Sequence, residues 1–146
     1  YSLHFEGKVV HTVTWDTHSF TVVTSSNCLI EKDSITLDQP NKSLIFNVTC
    51  CEIGQLCTVN ITIPIDLLNA GAEEWEVYIN GNPASYEVIA TNSTHNTLKI
   101  TFECGTNINE VKIKGTEVIP EFPALAVLLA LMMFGAAIVM FRKRIR

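Results

Sequence analysis

The chain has 146 residues, 47% of them hydrophobic, with a formal net charge of −5 and five cysteines. About 118 residues precede a long apolar run near the end, a length that suits one domain around a single core. The acidic balance excludes the basic footprint of a nucleic-acid binder, so no nucleic-acid partner is expected.

Up to residue 118 the apolar residues come in short runs of period two. Leu44, Phe46, Val48 and Cys50 alternate with Ile45, Asn47 and Thr49. Val59, Ile61 and Ile63 alternate with Asn60 and Thr62. Leu98, Ile100, Phe102 and Cys104 alternate with Lys99, Thr101 and Glu103. Such alternation buries one face and wets the other, as in an antiparallel sheet. Strands are expected at 3–15, 19–25, 34–38, 43–50, 57–64, 75–80, 85–91, 97–103 and 110–117. Turns are expected at Gln39-Pro40-Asn41, Asn80-Gly81-Asn82-Pro83 and Gly105-Thr106-Asn107. Asn80-Gly81 tolerates positive φ at both positions, which predicts a tight hairpin between Trp75–Ile79 and Ser85–Ala90 unless Pro83 lengthens the loop. Asp66–Asn69 is expected as one helical turn. Many short strands with little helix give an all-β fold class: an immunoglobulin-like β-sandwich over 1–118.

The chain then changes character. Residues 119–123 read Ile-Pro-Glu-Phe-Pro, residues 124–141 form an apolar run of 18 without a charge, and residues 142–146 read Arg-Lys-Arg-Ile-Arg. A helix of that length spans roughly 27 Å, close to the hydrocarbon thickness of a bilayer. The expectation is a single C-terminal transmembrane α-helix, with the lipid bilayer as first partner. All 15 acidic residues and six lysines precede the run, and four basic residues follow it. The positive-inside rule therefore puts 142–146 in the cytoplasm and 1–118 outside, a single-pass type I arrangement at the cell membrane. The sequence opens at Tyr1 without a methionine, so a signal peptide is expected to have been removed ahead of it.

Outside the cell the five cysteines, Cys28, Cys50, Cys51, Cys57 and Cys104, are disulfide candidates, and an odd count leaves at least one unpaired. Cys50, Cys57 and Cys104 share the phase of the inward residues of their strands, and Cys51 does not. A bridge from Cys104 to either Cys50 or Cys57 would lie inside the sandwich, and Cys51 with Cys57 would close a local loop. Zinc on four thiols is the other reading, against which stands the lack of Cys-x-x-Cys knuckles. Four Asn-x-Ser/Thr sequons, at Asn41, Asn47, Asn60 and Asn92, are candidate glycosylation sites. Asn47 and Asn60 have the outward phase of their strands, and Asn41 and Asn92 fall in loops.

No catalytic motif stands out. Gly-x-Ser-x-Gly, His-Glu-x-x-His and glycine-rich phosphate loops are missing from the sequence. No enzyme activity, cofactor or metal site is expected. His4, His11 and His18 recur every seven residues, but an odd spacing faces neighbours on one strand in opposite directions. His11 shares a face with Val9, Val13 and Trp15, and reads as a half-buried sheet residue. Glu73, Glu74 and Glu76 read as a solvated edge, and Trp15 and Trp75 as core anchors.

Ile119-Pro120-Glu121-Phe122-Pro123, the apolar span and the basic end together resemble the PEF-type C-terminal sorting tail of archaeal surface proteins, with Pro120, Glu121, Phe122 and Pro123 as its motif. The stretch before it, including Cys57–Pro64, Asp66-Leu67-Leu68, Trp75-x-Val77-Tyr78-x-Asn80-Gly81, Asn92–His95 and Val111-x-Ile113-x-Gly115-Thr116, resembles the membrane-proximal β-sandwich of such proteins. The resemblance covers roughly 43–146 and implies an archaeal, glycosylated cell-surface protein. Cys28, Cys50, Cys51 and Cys104 depart from that pattern. Two functions follow as expectations. One is a non-catalytic, membrane-anchored, glycosylated surface β-sandwich. The other is a single-pass accessory subunit of a larger archaeal membrane complex, a metalloenzyme among the hosts considered, with the sandwich capping it outside. Ala126, Ala130 and Gly135-Ala136-Ala137 offer small-residue faces for helix contacts with other membrane or envelope proteins. Sorting tails are normally cut near their motif; the sequence here runs on to Arg146, so a retained anchor is expected.

Overall fold

The computed structural model describes residues 8–118. Residues 3–7 of the first expected strand, His4, the 119–123 motif, the apolar run and the basic tail lie outside the described residues. Among the described residues all regular structure is strand, and no helix is long and apolar enough to cross a membrane.

One five-stranded sheet holds β1 (Lys8–Trp15), β2 (His18–Ser26), β5 (Leu56–Pro64), β10 (His95–Glu103) and β9 (Tyr86–Thr91), in the order β1-β2-β5-β10-β9. A second holds β3 (Thr36–Asp38), β4 (Ser43–Thr49), β11 (Ile108–Lys114), β7 (Glu76–Ile79) and β8 (Asn82–Ala84), in the order β3-β4-β11-β7-β8. A short ribbon pairs β6 (Leu68–Asn69) with β12 (Glu117–Val118). All pairings are antiparallel.

The alternation explains the core. Val59, Ile61 and Ile63 of β5, Leu98 and Ile100 of β10, Leu44, Phe46 and Val48 of β4, and Val111 and Ile113 of β11 are all buried in one cluster fed by both sheets. Two sheets sharing one core through alternate residues form a sandwich. The expected strands are found with end shifts of one or two residues, except at three places.

The hairpin at Asn80-Gly81 is tight: both residues have positive φ, 52° and 84°, and Ile79 pairs directly with Asn82. Its second strand, however, is β8 and not 85–91. The chain changes sheets at Ser85, and β9 pairs with β10. Pro83 lacks a backbone donor and sits opposite Tyr78 on an edge strand, where that loss is tolerated. Asp66–Asn69 is not a helical turn: Leu67 N–H donates to Pro64 O in a turn, and Leu68 already pairs with Val118. The expected strand at 110–117 breaks into β11 and β12 around Gly115. A Cβ there would lie 2.7 Å from Asn69 O and 2.9 Å from Leu68 Cδ1, so only glycine lets the β6 backbone come this close.

β5 starts at the end of the sandwich that holds the cysteines and finishes at the end that holds β6. β11 runs the same way and leads into β12. The last described residue, Val118, therefore lies at the end of the sandwich opposite the cysteines. A nine-residue strand separates the two ends, roughly 25–30 Å.

Candidate functional site

Four cysteines converge at the far end. Cys50 follows β4, Cys104 follows β10, Cys57 is the second residue of β5, and Cys28 lies two residues beyond β2. Each keeps the inward phase of its strand, and all four are buried. Cys50 and Cys104 form a disulfide with a Cα–Cα separation of 6.5 Å, tying the two sheets together. Of the two internal pairings left open by strand phase, the structure has the one with Cys50. Cys28, Cys51 and Cys57 are free. Cys51 is exposed, as its outward phase requires.

The Sγ atoms of Cys28, Cys50 and Cys57 all lie within 4.8 Å of one another, the only such group of possible metal ligands among the described residues. Cys50 is committed to its bridge, so a four-thiolate zinc set does not exist while that bridge is closed. Burial pushes the Cys57 thiol up to about 12; its contact with Cys28 adds to the rise and the Ser26 hydroxyl opposes it. The thiol is neutral at ordinary pH.

The surroundings are built from backbone. Cys50 N–H donates to Asn107 O, Gly54 N–H to Cys104 O, and Cys104 N–H to Gln55 O. Gln55 Oε1 accepts from Cys51 N–H at 3.0 Å and closes the loop between β4 and β5. Gly54 supplies the positive φ, 88°, that this loop needs. Asn109, fully buried on β11, donates to Thr106 O and to Cys50 Sγ and accepts from Asn80 Nδ2. It joins the Gly105–Asn107 turn, the Asn80 hairpin and the disulfide. A cavity of about 360 Å³ opens beside the cluster, lined by Cys28, Cys50, Cys51, Leu29, Ile30 and Val9 among others. Leu29, Ile53, Leu56 and Ile108, all more than half exposed, surround the same end.

The sequons divide by accessibility. Asn41, Asn47 and Asn92 are exposed. Asn92 holds the β9–β10 turn through Oδ1, which accepts from the N–H groups of Thr94 and His95 and from the Thr94 hydroxyl. Asn60 has the expected outward phase but stands on central strand β5 between Ser25 and Lys99, half-buried, with its Oδ1 buried and without a hydrogen-bond partner.

His11 is fully buried and has both ring nitrogens engaged. Asp33 N–H donates to Nδ1 at 3.1 Å, so Nδ1 carries the lone pair and Nε2 the proton, which points to Thr24 Oγ1 at 2.8 Å. Asp33 Oδ1 also accepts from Thr12 N–H at 2.7 Å. Burial lowers the His11 pKa, and the Asp33 charge partly opposes that. His18 is exposed at the β1–β2 turn. Glu73, Glu74 and Glu76 are exposed, with Glu76 accepting from the Tyr78 hydroxyl. Trp75 is a core residue with its Nε1 lacking a partner, and Trp15 is half-buried. Asn109 and the His11–Asp33 contact carried no sequence signal, because each joins segments that are far apart in the chain.

Comparison with known protein families, with curated proteins and with solved structures finds no match.

Proposed function

We propose that this protein is a non-catalytic, membrane-anchored β-sandwich with immunoglobulin-like architecture, displayed outside the cell and glycosylated there. The Cys50–Cys104 bridge between the two sheets carries the reading, because buried structural disulfides belong to oxidising compartments. Exposed Asn41, Asn47 and Asn92 support it as glycan acceptors. The uncharged run 124–141 and its basic end act as the anchor, and the PEF-like motif agrees with an archaeal envelope setting.

In this reading the anchor follows Val118 at the β6–β12 end, so the cysteine end, with exposed Leu29, Ile53, Leu56 and Ile108, is the end turned away from the membrane. Those exposed apolar side chains favour the second reading, an accessory subunit whose tip and membrane helix contact other proteins. Gentle solubilisation followed by native mass measurement separates the two. A lone chain near 16.2 kDa plus glycan mass supports the free-standing surface protein, and a larger stoichiometric assembly supports the subunit. Recovery of the chain in the soluble cytoplasmic fraction, unglycosylated and with Cys50 and Cys104 reduced, overturns both.

A further inference from the structure

The register of β2 and β5 brings two more cysteines face to face. Val23 pairs with Thr62, Thr24 with Ile61, Ser25 with Asn60 and Ser26 with Val59. Two further steps along this antiparallel ladder set Cys28 opposite Cys57. Both are in the inward phase, after Val22 and Thr24 on one strand and before Val59 and Ile61 on the other. The backbone ladder stops at Ser26, and Asn27 takes its place: its Oδ1 accepts from Thr58 N–H at 2.8 Å and its Nδ2 donates to Leu56 O at 3.0 Å. Beyond it the chain crosses to the other sheet, where Leu29 bridges Thr49. The side-chain clamp thus holds the two thiols in register at the crossing, with their sulfurs no more than 4.8 Å apart.

We propose that Cys28 and Cys57 are a second redox pair, which closes to a disulfide beside Cys50–Cys104 by exchange with an external disulfide. Access sets the order of events. Cys28 is 8% exposed and lines the cavity, whereas Cys57 is fully buried. Cys28, as thiolate, attacks one sulfur of the external disulfide, and the other sulfur leaves as a thiolate that takes up a proton. Cys57, deprotonated, then attacks Cys28 Sγ and expels the second external thiol. Two S–H bonds are lost in the protein, one S–S bond forms, and the external disulfide is reduced to two thiols. Burial of Cys57 makes the second step the slow one. Once the pair is closed, Cys51 is the single thiol left in a chain of five cysteines.

The test uses the full chain in detergent, incubated with oxidised glutathione, then denatured, alkylated and mapped without reduction. Before oxidation, maleimide should label native Cys51 first, Cys28 more slowly and Cys57 last. After oxidation, a new cross-linked peptide should join Cys28 to Cys57 with Cys50–Cys104 intact, and exposed Cys51 should be found as a thiol or as a mixed disulfide with glutathione. Cys51→Ser, an exposed change, should give the same cross-link with no thiol remaining; Cys28→Ser should abolish it. The proposal is overturned if both thiols stay alkylatable, or if the cross-link joins either of them to another cysteine. It is also overturned if the reduced chain takes up one zinc ion per molecule on four thiolates and then resists oxidation.

Discussion

Opening the Cys50–Cys104 bridge should cost the domain much of its stability. The bridge closes a segment with a sequence separation of 54, which by the chain-entropy relation corresponds to about 4 kcal/mol at room temperature. Domains of this size have roughly 5–15 kcal/mol in total. Melting midpoints move by roughly 4 °C per kcal/mol at this length, so a fall of about 15 °C is expected. Two variants separate the contributions. A chain reduced in its folded state keeps both sulfurs and loses only the constraint on the unfolded ensemble. Cys50→Ala with Cys104→Ala also leaves two small buried voids and removes the acceptor of the Asn109 Nδ2–Cys50 Sγ contact, so it should be less stable again by about 1–2 kcal/mol. Urea unfolding followed by intrinsic tryptophan fluorescence measures both, in a Cys51→Ser background that prevents bridging between chains. The slope with denaturant should rise when the bridge opens, because the freed unfolded chain exposes more surface. A loss below about 1 kcal/mol with an unchanged slope would refute the reasoning, since the bridge would then not constrain the unfolded chain.

Four further outcomes follow from individual contacts. His11 has a lowered pKa, so the unfolded chain binds its proton first as pH falls; stability should be full above about pH 6.5 and decline below it, by at most about 1.4 kcal/mol per pH unit, until His11 in the fold is itself protonated. His11→Gln should flatten that part of the urea-stability profile. Gly115→Ala should destabilise by about 2 kcal/mol in the same assay, because the new methyl meets the Asn69 carbonyl oxygen at 2.7 Å. Asn109→Ala should cost about 2–3 kcal/mol, since it strips partners from Asn80, Thr106 and Cys50 at once. Trp75→Phe should change stability by no more than about 1 kcal/mol in thermal melts, as lost packing is offset by removal of a buried N–H without an acceptor.

Period-two alternation made the strands and their inward faces legible, because a half-buried strand leaves that pattern wherever it occurs. Val59, Ile61, Ile63, Leu98 and Ile100 were readable as core for this reason. So were the inward phases of Cys50, Cys57 and Cys104 and the outward phase of Cys51. Asn80-Gly81 was readable as a tight turn, because the left-handed backbone it requires is a local property. Pairing partners were not readable. The approach of β2 to β5, which sets Cys28 opposite Cys57, joins strands that are not sequential. Ser85 shows the same limit: the sequence has a turn before it but nothing that says the next strand enters the other sheet. Asp66–Asn69 was misjudged because the pull of β12 on Leu68 is non-local. Asn60 shows that phase alone does not measure access, since a side chain on the outer face of a central strand is still flanked by two neighbours.

Sidedness of the lysines tests the surface-display proposal most directly. Lys32 and Lys99 are exposed on the sandwich, and Lys143 lies in the basic tail. Intact cells are treated with an amine reagent that cannot cross membranes, and the chain is recovered from carbonate-washed membranes and mapped by peptide. The expected result is labelled Lys32 and Lys99 with Lys143 labelled only after permeabilisation. Labelling of Lys143 on intact cells with Lys32 and Lys99 protected, or absence of the chain from washed membranes, would contradict an outward-facing, anchored sandwich.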